Sequence, residues 1–211
     1  MDPTGMEADD IIFTDNDGNE QHRLKTDAVD VIYNVKELEA PSLSLINDVS
    51  KAIREDGFEF FEKSVTELGG TDFYFNIANT FEFNSSGWLG DLIDGESLTS
   101  YSVKSAFHIA EWTHSKIADG TKEKNALEHL IGTFLIFDRY GPLQSFGVTT
   151  ANEVRGLYDD YRSGDFENAI KSRGGTAFEW SDLKNNLRGA IKYTKHMFSR
   201  PFKKENWKHW K

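Results

Sequence analysis

With 211 residues, 38% of them apolar and 13% aromatic, the chain has enough material for one domain with a real core and does not read as disordered. It has no cysteine, which excludes disulfides, thiolate nucleophiles, zinc fingers and iron–sulfur clusters. The net charge of −11 is uneven: from Lys192 onward seven Lys/Arg stand against Glu205, giving +6 and leaving −17 on the first 191 residues. An acidic body of this kind is a poor match for unspecific nucleic-acid binding, which depends on neutralising phosphates. No apolar run is long enough to span a bilayer, and no basic-then-apolar leader opens the sequence, so no ordinary secretory signal is expected.

Residues 1–10, rich in Asp with Pro3 and Gly5, read as turn and linker. Ile11 to Phe13 and His22 to Leu24 flank Asp15, Asn16, Asp17 and Gly18, which predicts a β-hairpin. Asp15-x-Asp17-Gly18 lacks the remaining ligands of a calcium loop and is not read as one. Val29 to Val35 reads as a buried strand. Pro41 opens a helix whose apolar face is Leu45, Ile46, Val49, Ala52 and Ile53, ending near Gly57. The following FEFFEKSVTEL fits a short helix or a strand, and TDFYFNIANTFEFN alternates as a strand pair would. Residues 84–97 form a Gly/Ser/Asp-rich loop carrying Trp88 and Leu89, long enough for a lid or simply packed over the core.

From Ser100 the pattern is helical. His108, Glu111 and His114 form H-x-x-E-x-x-H, but residues i and i+6 point about 120° apart around a helix, so the two histidines are poorly placed to share a metal ion. Asn125 to Gly141 is the most apolar stretch, with Ala126, Leu127, Leu130, Ile131, Phe134, Leu135, Ile136 and Phe137 covering nearly every direction. Such a helix is buried. Asn125, His129, Gly132 and Thr133 interrupt it on one face, and buried polar groups require partners. Pro142 to Gly147 reads as a bend. A third helix, capped by Thr149 or Thr150, carries a stripe of Ala151, Val154, Leu157, Tyr158 and Tyr161 with Glu153 beside it. A last helix, with Ser181 as N-cap, has Leu183, Leu187, Ala190 and Ile191 as its apolar stripe and Asp182, Asn185, Asn186 and Gly189 as a second polar lane. Two lanes that each contain a glycine can pack closely. The bland alternative is a satisfied core histidine with solvated or capping Asp and Asn residues. The fold expected is α+β: a small β-rich part over 11–99 and a mainly helical part over 100–211, ending in a basic tail with Phe198, Phe202, Trp207 and Trp210.

Two groups of residues carry a likeness. Asp2-Pro3-Thr4-Gly5-Met6 resembles the Asp-Pro-x-Gly element that closes the core of Rhs (YD-repeat) proteins, after which a variable C-terminal toxin domain follows. Asn125-Ala126-x-x-His129, Gly141, Ala151-x-Glu153 and Asp182-Leu183-x-Asn185-Asn186-x-x-Gly189 are similar, in order and approximate spacing, to a pattern of helical polymorphic-toxin tips. The chain departs from that pattern at Glu128, where the family usually has Arg, and at Asn152-Glu153, where it has His-Glu. The second departure removes the histidine on which a two-histidine mechanism would depend. The resemblance implies a domain delivered by a larger carrier and neutralised by a cognate immunity protein.

The leading expectation is therefore an antibacterial toxin domain with hydrolase chemistry. His129 would be the proton carrier, since imidazole exchanges protons near neutrality. Glu153 or Asp182 would orient it or share the acid–base role, and Asn125, Asn185 and Asn186 would bind substrate or a developing oxyanion. No Walker A loop, G-x-S-x-G elbow, H-E-x-x-H or dinucleotide fingerprint is present, and no metal ligand set is assigned. The acidic body favours an envelope substrate, lipid or cell wall, over nucleic acid. The alternatives are a nuclease, a toxin that disrupts membranes through its Trp/Lys tail, or a non-enzymatic immunity or adaptor protein whose two polar lanes need not meet.

Overall fold

The computed structural model describes residues 10–26, 30–80, 108–109, 112–114, 116–117, 122–164 and 180–199. The Asp-Pro-x-Gly element, the 84–97 loop, Glu111 and the tail after Ser199 lie outside the described residues. The fold is α+β, a small three-stranded sheet followed by helices.

Strands β1 (Asp10–Thr14) and β2 (Glu20–Lys25) form the expected antiparallel hairpin, pairing Ile11 with Leu24 and Phe13 with His22. Its turn is held by Asp15, whose carboxylate accepts from the Asp17 and Asn19 backbone N–H groups, both at 2.9 Å. Strand β3 (Val31–Asn34) adds to the other side of β1 in parallel, so β1 is central and β3 lies at the edge. The edge position is why this strand, read from sequence as buried, leaves Ile32 69% exposed.

Helix α1 (Leu43–Glu67) starts at Ser42, whose side chain accepts from the Leu45 N–H. It does not stop at Gly57. That residue, at φ 68°, kinks the helix, which resumes through FEFFEKSVTE, so the segment open to either reading is helical. The predicted strand pair is instead a helix over its first half: α2 (Asp72–Asn79). Phe73 and Ile77, and Tyr74 and Ala78, pair at i, i+4 and are all buried, so the alternation reflects a helix with most of its surface covered rather than a pleat.

Helix α3 (Lys122–Ser163) is two arms bent at Gly141, φ 74°, with Pro142 opening the second arm. The bend thus precedes the expected one, and Thr149 is inside the helix, its hydroxyl donating back to the Ser145 carbonyl rather than capping. Helix α4 (Trp180–Ser199) already includes Ser181, which is therefore not the N-cap.

Phe134, fully buried on the first arm of α3, joins the layers. It meets Phe61 of α1 edge-on at 5.2 Å between centroids and Tyr193 of α4 at 5.5 Å. Thr71 donates to the Asp138 carboxylate and Arg139 pairs with Asp72 at 2.8 Å, tying α2 to the same arm. The arm is anchored on both flanks, with its polar lane turned toward α4.

Candidate active site

The two polar lanes meet. His129 and Thr133 on α3 lie opposite Asp182 and Asn186 on α4, and Phe137 lies opposite Tyr193, so the first arm and α4 run side by side in broadly the same direction. Gly189 sets their separation. A Cβ there would stand 2.6 Å from the Leu130 carbonyl oxygen and 2.9 Å from the Thr133 Cβ, so a residue without a side chain is required.

Contact at this distance turns α4 about its axis relative to the sequence reading. Asn185, Gly189, Tyr193 and His196 are its buried residues, while Leu187 and Ile191, expected in the apolar contact, are exposed. The second arm of α3 departs in the same way: Glu153 and Asp160 are buried, whereas Val154, Tyr158 and Tyr161 face outward. Polar groups displace apolar ones from these interfaces because they find partners there.

Asn186 is the hub of the site. Its Oδ1 accepts from the Thr133 hydroxyl at 3.0 Å and lies 3.1 Å from His129 Nδ1, and its Nδ2 donates to Glu153 Oε1 at 3.1 Å. An amide oxygen only accepts, so Nδ1 of His129 carries the proton of that bond. Nε2 is then the nitrogen left to exchange a proton, and it faces Asp182 Oδ1 at 3.4 Å. The side chains of His129 and Asp182 are 21% and 19% exposed, so this end of the constellation is open to solvent.

Glu153 lies behind the amide and is only 4% exposed. Burial pushes its carboxyl up to about 7; the His129 charge opposes this, Asp182 reinforces it, and the Asn186 hydrogen bond opposes it. Glu153 touches Asn186 rather than the solvent-facing end, which makes it a positioning residue. Asn185, the neighbour in the lane, is buried and accepts from Arg188 Nη1 at 3.3 Å instead of joining the cluster. The side chain of Asn125 lies outside the described residues.

Two further residues border the site. Thr133 shares the Asn186 oxygen with His129, and its i+4 spacing from the histidine is the only sequence signal for it. Glu128 pairs with His114 at 3.3 Å, and burial raises its carboxyl, opposed by the charges of His129 and His114. His114 thus faces the Glu128 carboxylate across from it. Among the described residues, no group of three or more His, Asp or Glu is arranged to hold a metal ion.

Comparison with known proteins finds no matching family model, no similar curated protein and no similar solved structure.

Proposed function

We propose that this chain is an antibacterial toxin domain of the Rhs type, acting as a hydrolase on an envelope substrate through His129. The observation that carries the reading is the fixed imidazole: Nδ1 is committed to Asn186, and Nε2 is presented with a carboxylate beside it at a solvent-facing opening. With Nδ1 committed as a donor, Nε2 keeps its lone pair for a proton, and the Asp182 carboxylate beside it favours the imidazolium that results. A non-enzymatic immunity or adaptor protein has no need for the two lanes to converge on a proton carrier.

In the proposed reaction Nε2 takes a proton from water as the water oxygen bonds to the carbonyl carbon of an ester or amide. The resulting imidazolium lies between the Asn186 oxygen and the Asp182 carboxylate, which stabilise its charge. As the bond to the leaving group breaks, Nε2 returns the proton to the departing oxygen or nitrogen. Glu153 and Thr133 hold Asn186 in the orientation that keeps the proton on Nδ1. The catalytic residues are His129 and Asp182, with Asn186, Glu153 and Thr133 as the positioning set. A cognate immunity protein and an Rhs carrier are the partners this reading calls for.

The substrate class is tested by incubating the purified chain with phospholipid vesicles, isolated cell-wall sacculi, plasmid DNA and ribosomal RNA. Product is expected from one of the first two, and from neither nucleic acid, and it should disappear with His129→Ala. Cleavage of DNA or RNA would reassign the substrate. No product from any of the four would remove the enzyme reading.

A further inference from the structure

The outward turn of α4 leaves a surface that the site does not use. Leu187, Ile191 and Phe198 are 62%, 46% and 88% exposed. Their spacing of four and then seven residues places them along one line of the helix. Each is preceded three residues earlier by an exposed cation: Lys184, Arg188 and Lys195. An apolar line is thus edged on one side by a basic row. The opposite face of α4 holds Asn185, Asn186, Gly189, Tyr193 and His196 against the body, so the helix cannot rotate to bury the line without opening the site.

We infer that this face of α4 docks the protein on an anionic phospholipid bilayer. Aliphatic and aromatic side chains beside a cationic row form the pattern of a helix lying in a membrane interface, where apolar groups enter the acyl boundary and the cations meet lipid phosphates. The basic row stands out on a chain of net charge −11, whose acidic remainder is repelled by such a surface and orients α4 toward it. A second copy is a poorer occupant. Antiparallel two-fold pairing through this face sets Lys184, Arg188 and Lys195 against their counterparts. Three apolar side chains also fall well short of the roughly 800 Å² per partner that stable interfaces bury. The docking does not depend on the reaction at His129.

The test is co-sedimentation of the full chain with vesicles of mixed phosphatidylglycerol and phosphatidylcholine, and with phosphatidylcholine alone. Wild type should bind the anionic vesicles at least tenfold more tightly than the neutral ones. Leu187→Gln with Ile191→Gln should lose at least tenfold in that binding, and Lys184→Glu with Lys195→Glu should lose the preference for anionic lipid. All four positions are exposed, so circular-dichroism melts should match wild type and separate lost docking from lost folding. Absence of vesicle binding by wild type would overturn the proposal. So would equal binding by the Leu187/Ile191 variant, which would place the contact elsewhere in the chain. Concentration-dependent self-association that this variant abolishes, without vesicle binding, would assign the face to a second copy.

Discussion

Glu153 shows what burial does to one ionisable group when an amide donor is its only described hydrogen-bond partner. Burial pushes its carboxyl up to about 7, against 4.5 for an unperturbed glutamate. Between those values the folded state binds more protons than the unfolded one, so stability falls as pH rises through this window and stays at the lower level above it. The corresponding cost at alkaline pH, discounted for solvent screening, is on the order of 1–3 kcal/mol. Glu153→Gln keeps an oxygen for the Asn186 donor and has no charge to desolvate. The variant should therefore gain stability relative to wild type from pH 4.5 to 7, with a constant advantage above that, measured by urea unfolding across pH. An advantage of the same size at pH 5 and pH 8 would show that the buried carboxyl is not responsible. Asn186 belongs to the same scale. One side chain there sets the tautomer of His129 and shields Glu153, which is why neither neighbour can be understood alone.

At the scale of elements, the close approach of α3 and α4 rests on Gly189. Gly189→Ala adds a methyl 2.6 Å from the Leu130 backbone oxygen, which cannot swing away as a side chain would. The helices must separate, at a cost of about 1–3 kcal/mol. That outweighs the gain of up to about 1 kcal/mol that alanine brings to a helix. Gly147→Ala, on an exposed turn of the second arm with open space around it, should show only the gain. Thermal melts of the two variants should thus move in opposite directions, and a stabilised Gly189→Ala would contradict the packing described.

The polar lanes were legible in the sequence because asparagine and histidine at helical spacing within an apolar stretch need polar partners, and a glycine beside them lets a second helix bring those partners close. The facing of α4 was not. Hydropathy assigns Leu187 and Ile191 to the interior, and the close contact at Gly189 together with the hydrogen bonds of Asn186 to His129, Thr133 and Glu153 reverses that assignment. The same holds for Val154 and Tyr158 beside Glu153. In α2 the alternation that suggested a strand pair also fits a helix, since Phe73 with Ile77 and Tyr74 with Ala78 stand at i, i+4, so the pattern alone does not decide between them. The kinks at Gly57 and Gly141 were visible as glycines, but not as positions where a helix resumes.

At the scale of the whole molecule, the sheet and α1 build a core that anchors the first arm of α3 through Phe134. The solvent-facing end of the candidate site then lies where that arm, its returning second arm and α4 come together. Hairpin and helical content could be read from turn residues and periodicity. The sheet order β2-β1-β3 could not, because the parallel partner of β1 arrives from beyond the hairpin and carries no local signal. On the proposed reading, His129 and Asp182 form a working acid–base site in a toxin. The most direct measurement is the growth of a bacterium expressing the chain in the cytosol or in the periplasm, beside His129→Ala and Asp182→Ala versions shown to be folded by circular dichroism. Growth should arrest with wild type in one compartment and be normal with both variants. Folded variants that arrest growth as wild type does, or a wild type harmless in both compartments, would contradict that reading.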